Sequence, residues 1–68
     1  MTDLVYRSVM RDIKQKILNN EYEDMRLPDE RSLSDYYHVS RSSMKRALGL
    51  LAQQGIVFKK RGSGTFIN

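Results

Sequence analysis

The chain has 68 residues, of which 40% are hydrophobic and 29% charged, with a formal net charge of +4 and no cysteine. That size holds one small domain, and the composition is that of a globular chain, not a disordered one. Disulfide staples and cysteine-based zinc sites are excluded, no apolar run approaches the roughly 18 residues that span a bilayer, and Met1-Thr2-Asp3-Leu4-Val5 lacks the basic-then-apolar pattern of a signal peptide. A reducing, cytoplasmic setting fits.

The first element is a helix over about residues 4–18. Val5 or Tyr6, then Val9, Ile13 and Ile17, recur every three to four residues and define its apolar face. Arg7, Arg11, Lys14 and Lys16 fall mostly elsewhere and are expected in water. Asn19-Asn20 is a suitable stop, because Asn tolerates the left-handed conformation at a helix end. Residues 21–28 form a connector that Tyr22, Met25 and Leu27 are expected to pin to the core. Pro28 biases Leu27 away from helix, and Asp29 is placed to cap a second helix over residues 30–37. Leu33 and Tyr36 or Tyr37 supply its buried side.

His38-Val39 is a short turn, and Ser40 is a good cap for a third helix. Met44, Ala47, Leu48 and Leu51 fall at i, i+3, i+4 and i+7, an uninterrupted helical stripe. This helix ends at Gln53-Gln54, with Gly55 where a positive φ is favoured. Two β-branched and aromatic runs follow, residues 56–60 and 65–67, separated by Arg61-Gly62-Ser63-Gly64; they read as a β-hairpin. The expected core is Leu4, Val9, Ile13, Ile17, Leu27, Leu33, Val39, Met44, Leu48, Leu51, Ile56 and Phe66.

Charge is unevenly placed. Residues 1–35 carry all eight acids beside six bases, whereas residues 36–68 carry Arg41, Lys45, Arg46, Lys59, Lys60 and Arg61 and no acid. A basic module on a mildly acidic support suits a polyanion partner. An eight-residue helix, a turn of two to three residues and a further helix is the spacing of a helix-turn-helix, whose second helix enters the major groove of DNA. At about 100° per residue, Ser42, Arg46 and Gly49 point nearly opposite the apolar stripe, Lys45 lies on the flank, and Arg41 and Ser43 occupy the first turn. Arg bonds guanine O6 and N7 in bidentate fashion, and Ser and Lys reach phosphates or base edges. After this helix, Lys59-Lys60-Arg61 running into Gly62-Ser63-Gly64 reads as a basic wing. Its glycines allow close approach to a sugar-phosphate, and Arg61 is placed to enter the minor groove.

Leu27-Pro28-Asp29-Glu30-Arg31-Ser32-Leu33-Ser34, Val39-Ser40-Arg41-Ser42-Ser43-Met44-Lys45-Arg46-Ala47-Leu48, Leu51, Gly55-Ile56-Val57 and Gly62-Ser63-Gly64-Thr65-Phe66-Ile67, in this order and spacing, resemble the N-terminal domain of GntR-family transcription regulators. The likeness covers nearly the whole chain, Tyr6 and Ile17 included. It implies a mostly α winged helix-turn-helix, with three helices plus a two-stranded wing, that binds double-stranded DNA. It also implies contacts from Arg31 near the start of the second helix, from Ser40, Arg41, Ser42 and Ser43, from Lys45 at the family's basic position, and from Arg61 and Gly62 at the wing tip. The chain departs from the family pattern at three places. Asp29 stands for the usual Ser, Met44 and Lys45 stand for the commoner Val and Arg, and the connector is about one residue short and lacks Pro-Gly. Lys45 is a point charge without bidentate reading.

The resemblance further implies a near-palindromic operator, a full-length homodimer, and a C-terminal domain, outside these 68 residues, that dimerises and binds a small-molecule effector. Repression is the commoner role among such proteins. Alone, the domain is expected to be monomeric and to bind DNA weakly. An enzyme is not expected: His38 is the lone histidine, and neither a nucleophile–base pair nor a metal or cofactor motif is present. The alternative, a winged-helix protein-interaction module, predicts an exposed apolar patch instead of a basic face. An RNA-binding module calls for exposed aromatics, and Phe58 and Phe66 read as hairpin core.

Overall fold

The computed structural model describes the backbone from Thr2 to Asn68 and the side chains from Val5 onward. Five regular elements and one short 3-10 turn follow in chain order: α1 (Thr2–Leu18), the turn Glu23–Met25, α2 (Glu30–Tyr37), α3 (Arg41–Gln53), β1 (Val57–Lys60) and β2 (Gly64–Ile67). The three helices and the hairpin are where the sequence puts them, with α1 starting two residues earlier than expected.

Each helix is bounded by a local device. Asp29 Oδ1 accepts from Ser32 N at 2.7 Å to open α2, and Ser40 Oγ accepts from Ser43 N at 3.1 Å to open α3. Both satisfy an amide that a helix start otherwise leaves without a partner. All three helices close in the same way, with a left-handed residue just past the end: Asn20 at φ 55°, His38 at φ 56° and Gly55 at φ 76°. The paired closing bonds are Asn20 N to Ile17 O with Glu21 N to Lys16 O, His38 N to Asp35 O with Val39 N to Ser34 O, and Gly55 N to Ala52 O with Ile56 N to Leu51 O. This is the Schellman arrangement. Asn20 and Gly55 announce it in the sequence. His38 does not, and its left-handed backbone makes the sharp turn between α2 and α3.

α3 is the central element, packed against α1, α2 and β1. Val9, Met10, Ile13, Leu27, Leu33, Met44, Ala47, Leu48, Leu51 and Val57 make the buried core. Ile17, Val39 and Ile56, expected inside, are half-buried at its margin. Leu4 lies outside the described side chains. Of the alternatives left open, Tyr6 and Tyr37 pack against the core, while Val5 is 42% and Tyr36 63% exposed. Tyr36 is held instead by Lys16, whose Nζ donates to its hydroxyl at 2.9 Å and lies 4.1 Å from its ring centre. Tyr37 Oη donates to the Asp12 carboxylate, tying α2 to α1, and burial with that bond holds its phenol protonated far above the usual range.

The hairpin corrects two expectations. Its strands are antiparallel in the register Val57↔Ile67, Phe58↔Phe66, Lys59↔Thr65 and Lys60↔Gly64. Residues opposite one another share a face and neighbours along a strand do not, so Val57 and Ile67 take the core side. Phe66 is therefore not core. It stacks on Phe58 across the outer face, with ring centres 5.7 Å apart and planes 24° apart, and Phe58 remains 44% exposed. The ground for setting RNA aside, that both rings are buried, does not hold. The connector is the second correction. Met25, expected to pin it, is 54% exposed, and Leu27 does the pinning at 2% exposure. Asp24 and Met25 both take positive φ, which lets the short connector turn without Pro-Gly. Its end joins the hairpin: Leu27 N donates to Thr65 O at 2.9 Å, and Arg26 bridges Phe66.

Candidate nucleic-acid interface

α2, the turn at His38-Val39 and α3 form one corner. Because Met44, Ala47, Leu48 and Leu51 fill the inner face of α3, the first turn and outer face are left to Arg41, Ser42, Ser43, Lys45 and Arg46. Arg41, Ser42, Lys45 and Arg46 are exposed, and Ser43 is half-exposed. The three serines are coupled. Ser40 Oγ lies 3.2 Å from Ser42 Oγ and 3.0 Å from Ser43 Oγ while it caps the helix. Ser40 thus has a structural task of its own, and its hydroxyl orients the two that follow. The open amides of the first turn add partial positive charge where a phosphate would sit.

Arg46 carries a feature that periodicity does not reveal. Its guanidinium carbon lies 4.9 Å from the ring centre of Tyr6 on α1, within the range of a cation–π contact. The ring is itself packed against the core, so it fixes the direction of an otherwise flexible side chain.

Arg31 is exposed on the first turn of α2, close to the Asp29 cap. The amide of Ser32 donating to Asp29 is the main reason that carboxyl is held below its usual range, and the Arg31 charge adds to it. Asp29 therefore stays ionised and keeps the cap despite its added negative charge. At the wing, Ser63 N donates to Lys60 O at 2.9 Å, closing a four-residue turn with Gly62 at φ 78° in third position. A positive φ at the third position of such a turn favours a residue without a side chain. Arg61 and Gly62 stand fully outward at its tip.

The sequence-read residues therefore fall in three places: the start of α2 (Arg31), the start and outer face of α3 (Ser40 to Arg46), and the wing tip (Arg61 and Gly62). Among the described residues the one ion pair is Lys16 with Asp12 at 3.8 Å. The basic residues of α3 and the wing carry none among the described residues. Among the described residues no group of acidic, His or Cys side chains is arranged to hold a metal, and no helix is long and apolar enough to cross a membrane.

Comparison with known proteins agrees with this geometry. The family model described as "Bacterial regulatory proteins, gntR family" matches residues 5–67. The HTH-type transcriptional regulator GmuR of Bacillus subtilis is 44% identical over 63 residues, which is 91% of this chain and 27% of that protein. The transcriptional repressor NagR of the same organism is 34% identical over 65 residues, 94% of this chain and 27% of that one. This chain thus spans about a quarter of the length of these two relatives. The DNA-binding domain of AraR, solved in complex with operator ORX1, superposes with a TM-score of 0.87 at 31% identity, covering 94% of this chain and 78% of that one. The fold is a winged helix-turn-helix.

Proposed function

This chain belongs to the GntR family of bacterial regulatory proteins, and from that premise we propose that it binds double-stranded DNA sequence-specifically as the reading head of a transcription regulator. α3 lies in the major groove, with Arg41 and Arg46 directed at base edges and Lys45, Ser42 and Ser43 at phosphates or edges. Arg31 and the amides beside Ser40 take backbone phosphate, and Arg61 and Gly62 bring the wing onto the flanking sugar-phosphate or minor groove. One observation carries this reading: six cations free of acid partners among the described residues are gathered on the outer face of α3 and on the wing, beside a capped helix start. Enzymatic chemistry has no place in it, since the family and the matched relatives are regulators.

The same reading extends to the whole protein. Two such domains in a homodimer bind a near-palindromic operator, one per half-site. A C-terminal domain carries the dimer contact and a small-molecule effector site, and the protein is a cytoplasmic repressor whose hold on DNA responds to that effector. Kinship with the named repressor NagR supports the repressor role, and kinship with the operator-bound AraR domain supports the operator partner.

The test is an NMR titration of the domain with a duplex of roughly 20 base pairs, about two helical turns, at low and then moderate salt. Shifts clustered at Arg31, Ser40 to Arg46 and Arg61 to Gly64, with affinity falling steeply as salt rises, are expected. No such cluster at low salt would reduce the basic face to a solvated surface and leave a protein-interaction module as the better reading.

A further inference from the structure

Strand pairing carries one cation of the acidic half of the chain onto the wing. Arg26, at the end of the connector, faces Phe66 in an antiparallel bridge that the Leu27 N to Thr65 O bond continues. Its guanidinium carbon lies 5.7 Å from the Phe66 ring centre. Beyond that ring it reaches Gly64: a Cβ placed there would stand 3.4 Å from Nη2 and 3.5 Å from Nε. The side chain therefore runs from the level of Phe66 to that of Gly64, two residues or about 6.8 Å nearer the wing tip. Lys60 stands directly opposite Gly64, and Arg61 follows it. Glu23, Asp24 and Asp29 are close in sequence, yet Arg26 pairs with no acid among the described residues and is exposed.

We propose that Arg26 is a phosphate-binding cation of the wing, laid across Gly64 and steadied by Phe66 so that its guanidinium meets the sugar-phosphate backbone beside Lys60 and Arg61. This rests on the DNA-binding reading above and adds to it a residue outside both the helix-turn-helix and the hairpin. Three features make the arrangement work. The guanidinium lies alongside Gly64, within ordinary contact distance of where a Cβ would stand. Phe66 offers a ring face to a cation. A contact with Phe66 already made before binding lowers the side-chain freedom lost on meeting a phosphate. A phosphate contact carries no sequence information, so Arg26 contributes equally on any duplex.

The probe is a mixed-sequence duplex of roughly 20 base pairs, titrated over a range of salt concentrations. Arg26→Gln is expected to weaken binding about fivefold, whatever the sequence, and to lower the log–log salt slope by about 0.9, one phosphate's worth. Arg26→Lys should keep most of that slope. Phe66→Leu should weaken binding by a smaller factor, and that factor should vanish in the Arg26→Gln background. Thermal melting checks that each variant folds, and the Nε–H resonance of Arg26 in the unaltered domain, which should shift on adding duplex, needs no variant. Wild-type affinity and slope in Arg26→Gln, with an unmoved Nε–H signal while Arg61→Gln weakens binding, would overturn the role of Arg26 and leave the DNA reading intact. An unaltered domain that shows no salt-dependent binding would remove both.

Discussion

The helix-turn-helix and the wing reach the same surface by opposite routes. The devices that bound α2, the turn and α3 lie within a few residues of the ends they fix. Asp29 caps Ser32, Ser40 caps Ser43, and His38 closes α2 onto Asp35 and Ser34. The wing depends on partners far along the chain: Leu27 bonds Thr65, Arg26 bridges Phe66, and Asn68 bonds Ile56. The reading helix thus has locally determined ends, while the wing is an attachment whose stability derives from the connector and the body. A protein built this way can adjust its flanking contacts without disturbing its base-reading surface.

The largest effect should come from the side chains the two regions share. Leu51 is fully buried between α3 and its neighbours. Leu51→Ala is expected to cost about 2–5 kcal/mol, a large part of the stability of so small a domain. In chemical denaturation both regions should then unfold at a much lower midpoint. A variant that lost only the wing would show the two to be energetically separate. Next in size, Arg41→Ala should weaken operator binding by roughly 1–3 kcal/mol if Arg41 reads a base, with an unchanged melting curve, because the side chain is exposed and unpaired among the described residues. An unchanged titration would remove Arg41 from the interface. Smaller still, Gly62→Val forces a branched side chain onto φ 78° and should cost about 1–2 kcal/mol or somewhat more, confined to the wing. Amide shifts should be restricted to the hairpin and the connector end, with weaker DNA binding and an intact helix-turn-helix. A collapse of the whole domain would contradict the division drawn here.

The same division explains which features were legible in the sequence. Caps, stripes and the glycine-rich turn are short-range signals, so the helix boundaries, the buried face of α3 and the wing position could be read directly. One error is local, and the others concern pairing across distance. Phe66 reads as core until the register puts it on the face opposite Val57. Met25 reads as an anchor until the positive φ at Asp24 and Met25 turns it outward. Tyr6 under Arg46 and Arg26 across Gly64 are contacts between segments tens of residues apart, and no periodicity within one segment contains them. Of the candidate site, the list of outward residues on α3 and the wing tip was legible; the ring beside Arg46 and the placement of Arg26 along the hairpin were not.

The finest test addresses the acid that departs from the family pattern. Asp29 is the α2 cap, and its folded carboxyl titrates below the ordinary range because Ser32 N bonds the ionised form. A group with a lowered folded pKa adds stability that is present above the unfolded value and is lost as pH falls through the folded one. The contribution of Asp29 is therefore complete at neutral pH and disappears only in acid, below about pH 4. Asp29→Asn keeps a good capping side chain and removes the titration. The variant should match the original domain in acid more closely than at neutral pH, where the original gains the charged bond. It should also remove one negative charge near the phosphate contact of Arg31, so DNA affinity should rise slightly and most clearly at low salt. A parallel stability profile in acid would assign the cap to geometry alone. An unchanged affinity would place this end of α2 away from the phosphates, and Arg31 with it.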